Sequence, residues 1–346
     1  MQDRTKLGKV TVKEVAAHAG VSLKTASRVL NNSPNVRPEK REAVLQAAKE
    51  LNFRPNLSAR QLASNRSFVL VHFYDNANTD YISTIYQGML KACNRRGYYA
   101  VAEPLAHDKP YAQTILEYAA MFSIDGVVLS PPACDDRDLL KDLTENGIHY
   151  VLISPKSPDE DDPCVFVNEQ AASEKITEHL IRLGHSKIAY LGGPPEHMAA
   201  VKREMGYRGA IERLLTENEA GHVEAGDFSM QSGHQAYEKI MVANPDTTAI
   251  FAANDEMAFG LIMAALNSGK KVPDDISIAG YDNSRLAAVF WPSLTTVAPP
   301  LVDMSDHATN MLIDLVSDQK LQDSRREFAS ELYLRDSSAP PTRKTN

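Results

Sequence analysis

Apolar positions in the first fifty residues recur every three to four places, the spacing of amphipathic helices. In TVKEVAAHAG, Thr11 followed three residues later by Glu14 has the form of a capping box, and Val12, Val15, Ala16 and Ala19 repeat behind it until Gly20 ends the helix. Ser22 is placed to cap a second helix, LKTASRVLNN, which turns Ala26, Val29 and Leu30 inward and Lys24, Thr25, Ser27 and Arg28 largely outward. Pro38 takes the first position of a third, with Val44, Leu45, Ala48 and Leu51 on one face. Three short helices with a Gly-containing turn between the first two predict an all-α helix-turn-helix head over residues 1–54. PNLSARQLASN, residues 55–65, reads as barely two further turns capped by Asn56. Isolated helices under about 12 to 15 residues are marginal in water, so this segment needs a partner to fold.

From residue 68 the pattern changes to continuous apolar runs alternating with longer amphipathic stretches. FVLVHFY, YYAVAEP, DGVVLSP, YVLIS, KIAYLGG, HVEAGDFS, AIFAAND and ISIAGYDN predict strands, with helices between them. Such alternation predicts an α/β body with parallel sheets covered on both faces, and two similar halves in series predict two lobes. A ligand crevice is then expected at the C-terminal ends of the strands. The closing DSSAPPTRKTN is rich in Pro and Ser and is expected to be a flexible tail.

Charge alters the picture once it is read by segment. The 346 residues carry a net charge of -8, yet residues 1–66 hold 13 Lys and Arg against five acids, +8, leaving -16 for the remainder. A small basic module on a large acidic body fits a nucleic-acid-binding head whose body avoids DNA. Three cysteines, Cys93, Cys134 and Cys164, are too few and too scattered for a disulfide framework or a zinc site, which suits a reducing cytoplasm. The opening MQDRTKLGKV lacks the apolar stretch of a signal peptide, and no run approaches 18 apolar residues, so no membrane span is expected. LGGPP at 191–195 follows a strand but has neither GxGxxG spacing nor a GK[ST] ending, and the ten histidines form no HExxH. No nucleophile, base and orienting acid assemble, so neither an enzyme nor a cofactor or metal site is expected.

Residues 10–66, with VTVKEVAAHAGVSLKTASRVLNN and VRPEKREAVLQAAKELNFRPNLSARQLAS, resemble the DNA-binding head of the lactose-repressor (LacI/GalR) family of bacterial transcription regulators. The body resembles that family's periplasmic-binding-protein-like sensor in DGVVLSP, HLIRLGHSKIAYLGG, AANDEMAFG, VPDDISIAGYDN and SLTTV. The resemblance implies a sensor over 67–340, with a first lobe of 67–167 plus 298–327, a second of 168–297 plus 328–340, and a tail at 341–346. In the head it places Leu23, Lys24 and Arg28 where the family reads bases, and the chemistry agrees. Arg28 can fork onto a guanine, Lys24 can donate to guanine O6 or N7, and Leu23 can meet a thymine methyl. Thr11, Ser22, Ser27 and Asn31 are better suited to phosphates, which set register. Residues 55–66 match the hinge helix, which in this family pairs with its copy in the minor groove. There Leu62 stands at the wedging position and Ala59 is small enough for close backbone approach.

For the effector the resemblance implies Arg203, ahead of Gly206 and Tyr207, Asn254 of ANDEMA, Asp282 of GYD and Phe228 as a stacking aromatic. Arg, Asn and Asp around an aromatic face suit a polyhydroxylated sugar, although purine-binding members of the family use similar positions. Arg203 and Asp282 also read as an inter-loop salt bridge, and Phe228 as core. The first lobe departs from the family pattern: HFYDNANTDYIS replaces an Asn-Pro-aromatic stretch, leaving Tyr74, Asp75, Asp80 and Tyr81, with Ser130 of DGVVLSP, as candidates. Val167-Asn168 stands for a frequent Asp-Asn pair, with Asn168 a spectator. The expectation is a cytoplasmic, effector-responsive repressor of carbohydrate genes that binds a pseudo-palindromic operator as a homodimer. The tail is too short for a tetramerising heptad extension. The sensor half alone suits a solute-binding transport component, which the basic head and the missing signal peptide oppose.

Overall fold

A computed structural model describes residues 10–30, 35–53, 61, 66–75, 78–105, 108–157, 159–215 and 221–342. They belong to two compact units, Met1–Ser67 and Phe68–Asn346. In the first, α1 (Val12–His18), α2 (Leu23–Leu30) and α3 (Pro38–Glu50) close around Val15, Ala16, Ala26, Val29, Val44 and Ala47. The capping box forms in both directions: Glu14 N donates to Thr11 Oγ1 at 3.4 Å, and Thr11 N donates to Glu14 Oε2 at 2.7 Å. Gly20, at φ +62°, turns the chain from α1 into α2 through a conformation that a side chain would strain. His18 meets Glu50 at 2.7 Å and ties the end of α1 to the end of α3. The segment expected as a hinge helix falls almost wholly outside the described residues, Ala59 and Leu62 included, and so does Asn31.

The second unit holds two six-stranded sheets. The first lobe is built from β1 (Val69–Tyr74), α4 (Thr79–Arg96), β2 (Tyr99–Pro104), α5 (Tyr111–Phe122), β3 (Gly126–Leu129), α6 (Arg137–Glu145), β4 (His149–Ile153) and β5 (Cys164–Val167). The chain then crosses into α7 (Glu169–Arg182), β6 (Ile188–Gly192), α8 (Met198–Leu214), β7 (Val223–Ala225), α9 (Met230–Ala243), β8 (Ala249–Ala252), α10 (Asp255–Asn267), β9 (Ser277–Tyr281) and β10 (Thr295–Ala298). It returns for α11 (Leu301–Val316) and β11 (Arg325–Phe328), and crosses last for β12 (Glu331–Tyr333). The sheet orders are β11-β5-β4-β3-β1-β2 and β12-β10-β9-β8-β6-β7, parallel throughout except where β12 runs against β10. Strands covered on both faces explain the continuous apolar runs: every residue of β3, β6 and β8 is buried.

Helix α11 is not predicted by apolar spacing, and its chemistry shows why. Ser305 and Thr309 occupy fully buried positions, where their hydroxyls donate back to the Leu301 and Ser305 carbonyls at 2.7 and 2.6 Å. Two polar residues therefore interrupt the stripe that would have marked the helix. It packs against α4 at Gly88, where an added Cβ would lie 2.2 Å from the Val302 carbonyl oxygen.

The closing stretch also differs from expectation, for it is seated on the second lobe as far as Thr342. Ser337 is buried and donates to the Ile278 carbonyl at 2.6 Å, Ala339 N donates to Ser277 Oγ at 3.1 Å, and Thr342 Oγ1 reaches the Asp274 carbonyl at 2.9 Å. The tail bonds the start of β9, an inner strand of the sheet, rather than water, a distinction that Pro and Ser content alone does not carry.

Candidate functional site

Two regions carry candidate chemistry, one in each unit. In the head, Ser22 Oγ accepts from Thr25 N at 3.2 Å and so starts α2. Leu23 is then 55% exposed, and Lys24 and Arg28 stand in solvent while Ala26 and Val29 are buried beneath them. One face of α2 anchors the helix and the opposite face presents an apolar contact and two cations. Ser27 is half-buried, and the Thr11 hydroxyl is engaged by Glu14 Oε2 at 2.8 Å.

In the second unit a crevice opens at the C-terminal ends of the strands. Tyr81, Arg203, Phe228, Asn254 and Asp282 all line it, from elements of both lobes. Arg203 is the centre of the arrangement. Its Nε donates to Glu169 Oε2 at 2.8 Å, its Nη1 donates to the Ala253 carbonyl at 2.6 Å and lies 3.5 Å from Asp282 Oδ1, and its guanidinium lies 3.7 Å from the Tyr281 ring centroid. Burial opposes the charge on Arg203, but Glu169 and Asp282 outweigh it and hold the guanidinium above its ordinary pKa. For Asp282 burial wins: with Asp255 and Glu169 also repelling it, its carboxyl is pushed well above the usual range despite Arg203.

The backbone aims these groups. Asp282 and Asn283 adopt positive φ of 112° and 51°, a region that Asp and Asn enter more readily than other non-glycine residues, and surrounding bonds hold them there. Asp282 N donates to the Val297 carbonyl at 2.8 Å, and Asn283 Oδ1 accepts from Arg335 Nη2 at 2.6 Å. Phe228 is left-handed too, at φ 68°, and Asn254 fixes it: Asn254 Nδ2 donates to the Phe228 carbonyl at 2.9 Å while Oδ1 accepts from Met257 N at 3.0 Å. The Phe228 ring meets His197 edge-on, with centroids 5.6 Å apart. Below them Asp255, buried at the start of α10, is pushed up to about 7 by burial, although Thr296 Oγ1 at 2.6 Å and Ser284 N at 2.7 Å both donate to it.

The remaining first-lobe candidates scatter. Asp75 lies at the mouth of the crevice, where its carboxylate accepts from the Tyr111 hydroxyl. Asp80 holds the other lobe directly, its Oδ2 accepting from Arg285 N at 3.1 Å. Tyr74 and Ser130 stay out of the crevice wall. Tyr74 packs beside the His72 ring, and the fully buried Ser130 bonds that same histidine at 3.0 Å. Asn168 is no spectator to the fold, since its side chain accepts from Ala171 N at 3.0 Å and caps α7. Its neighbour Glu169, which the sequence reading does not single out, is the residue that faces the crevice. An acid in the first turn of a helix ordinarily reads as a partner of the helix dipole, and that ordinary reading conceals it. Asn78 and His197 also line the site unforeseen. No group of side chains with metal-holding geometry occurs among the described residues.

A sequence model of the bacterial regulatory proteins, lacI family, matches residues 11–56, and one of a periplasmic binding protein-like domain matches residues 177–338. The HTH-type transcriptional regulator CelR of Thermobifida fusca is 32% identical over 338 residues, covering 94% of this chain and 98% of its own. The HTH-type transcriptional repressor PurR of Mannheimia succiniciproducens is 30% identical over 329 residues, covering 94% and 98%. Among solved structures, a CelR–cellobiose complex aligns with a TM-score of 0.72 at 30% identity, covering 95% of this chain and 100% of that one. A lac repressor dimer bound to operator and the anti-inducer ONPF aligns with a TM-score of 0.72 at 26% identity, covering 95% and 99%.

Proposed function

Since the chain belongs to the lacI family of bacterial regulatory proteins, we propose that it represses genes of carbohydrate uptake or catabolism and that a sugar or sugar derivative in the crevice sets its affinity for operator DNA. It is a DNA-binding transcriptional regulator, as its relatives are. It acts as a homodimer on a pseudo-palindromic operator in the cytoplasm, and it is not an enzyme. No helix among the described residues is long and apolar enough to cross a membrane.

The observation that carries this reading is the recognition helix, which buries Ala26 and Val29 and exposes Leu23, Lys24 and Arg28. Lys24 and Arg28 read bases and Leu23 meets a thymine methyl. Thr11, Ser22, Ser27 and Asn31 hold phosphates, and Ala59 and Leu62 act in the minor groove. In the crevice Tyr81, Arg203, Phe228, Asn254 and Asp282 surround the effector, with Asp75 at its mouth. Tyr74 and Ser130 act behind that wall.

A gel shift on the DNA upstream of the protein's own gene tests the reading against a transport component. The expected result is a complex that outlasts competition by random DNA. A log-log plot of affinity against salt should fall steeply, because two heads meeting roughly 6 to 10 phosphates release counterions. No shift, or a flat salt plot, counts against it.

A further inference from the structure

The charge around the crevice is lopsided, and the imbalance sits at its floor. One guanidinium, Arg203, is flanked by two acidic side chains, Glu169 and Asp282, which are 7% and 14% exposed. Arg203 does not reach outward: Nε and Nη1 are engaged, and one face of the guanidinium is covered by Tyr281. Further out, Asp75, Asp227 and Glu256 line the mouth on one side, and Asp80 on the other, where Arg285 is the cation present. His197, which also faces the site, is held toward its neutral form by burial. The apolar surfaces between these groups, Phe228, Pro131 and Leu301, suit the flat face of a pyranose ring.

A carboxylate or phosphate brought to Arg203 would meet Glu169, already paired with the guanidinium, at nearly the same range, with little water to screen it. Hydroxyl or ammonium donors would instead find two buried acceptors already oriented. Resting on the sensor reading above, we propose that the effector is a saccharide without an anionic group, whose hydroxyl or amino donors meet Glu169 and Asp282, and that Glu169 is the residue that excludes acidic sugars. Glu169 does so by pairing with Arg203 at the floor, which neutralises the cation the ligand would meet there and sets an acceptor beside it.

The test is calorimetric titration and thermal unfolding of the full-length protein with matched probes: glucose, galactose, mannose and cellobiose, and the 2-amino-2-deoxy, uronic acid and 6-phosphate forms of the three hexoses. Binding is expected from the uncharged and amine-bearing probes, with each acidic form at least roughly tenfold weaker than its parent, the scale of one unpaired buried polar contact. Glu169→Gln should narrow that gap from both ends, weakening the parents and admitting the acids. A uronate or phosphate that binds the wild type more tightly than its uncharged parent overturns the proposal and leaves the sugar-sensor reading standing. Binding by no probe of any class overturns the sensor reading and the proposal together. If Glu169→Gln does not fold, the ranking of probes on the wild type decides the matter alone.

Discussion

The head and the crevice use the same residue types in opposite ways. On α2 Lys24 and Arg28 face solvent, and the helix is held by small apolar residues, Ala26 and Val29, buried on its opposite face. In the crevice Arg203 is buried between Glu169 and Asp282, so the groups that line it also hold the floor together. A surface that meets a large polyanion can leave its cations in water, because the partner supplies the countercharge. A site that encloses a small molecule must satisfy its charges internally before the ligand arrives. Function and stability should therefore separate in the head and be entangled in the crevice.

The sharpest break in that comparison is Arg203→Ala. It leaves Glu169 and Asp282 buried without their cation and should destabilise the second unit by about 3 to 5 kcal/mol in urea unfolding, leaving the transition of the head in place. A loss below about 1 kcal/mol would mean that the floor does not depend on the pair.

The pH dependence should run in opposite directions in the two regions. Asp255 is raised from 3.8 to about 7, chiefly by burial, so its folded form holds a proton that the unfolded chain has released. The stability it contributes is complete below about pH 4 and is lost as pH rises through about 7. Relative to Asp255→Asn, the wild type should thus lose stability across that window. Glu14 in the head is lowered below 4.5 by its hydrogen bonds with Thr11. Its contribution is present above that pH and fades as pH falls below it, which a Glu14→Gln comparison should reveal.

For the head, Lys24→Ala and Arg28→Ala should each cost about 1 to 3 kcal/mol of operator affinity and relax base preference at defined positions in selection from a randomised operator library. Their unfolding free energies should stay within about 0.5 kcal/mol of wild type. A large stability loss would erase the contrast with Arg203. The smallest effect is expected from Thr11→Ala, which removes the cap of α1 and should cost about 1 kcal/mol of head stability by thermal unfolding.

The same contrast decides what was legible in the sequence. The head is local: the Thr11–Glu14 box, the Gly20 turn and the apolar spacing of α2 each act within a few residues, and spacing alone fixes which side chains face out. Parallel strands with both faces buried were equally plain in GVVL, IAYLG and AIFA. Helix α11 is hidden by Ser305 and Thr309, and β11 (RREF) and β12 (ELY) are partly exposed edge strands with no continuous apolar run. In the crevice, Arg203 and Asp282 stood out through the family resemblance, whereas Glu169 did not. It acts across 34 residues on Arg203, a relation that no local pattern carries. Tyr74 is a candidate because HFYDNANTDYIS stands where the family has an Asn-Pro-aromatic stretch, yet its ring packs beside His72.

Control of the head by the crevice can be measured directly. A labelled fragment from upstream of the protein's own gene is titrated with the full-length protein, and binding is followed by fluorescence anisotropy with and without a saturating uncharged or amine-bearing saccharide selected by calorimetry. The expected result is a change in operator affinity of about 5- to 150-fold, in either direction, from a coupling of roughly 1 to 3 kcal/mol. An identical operator affinity with the crevice empty and filled would contradict it.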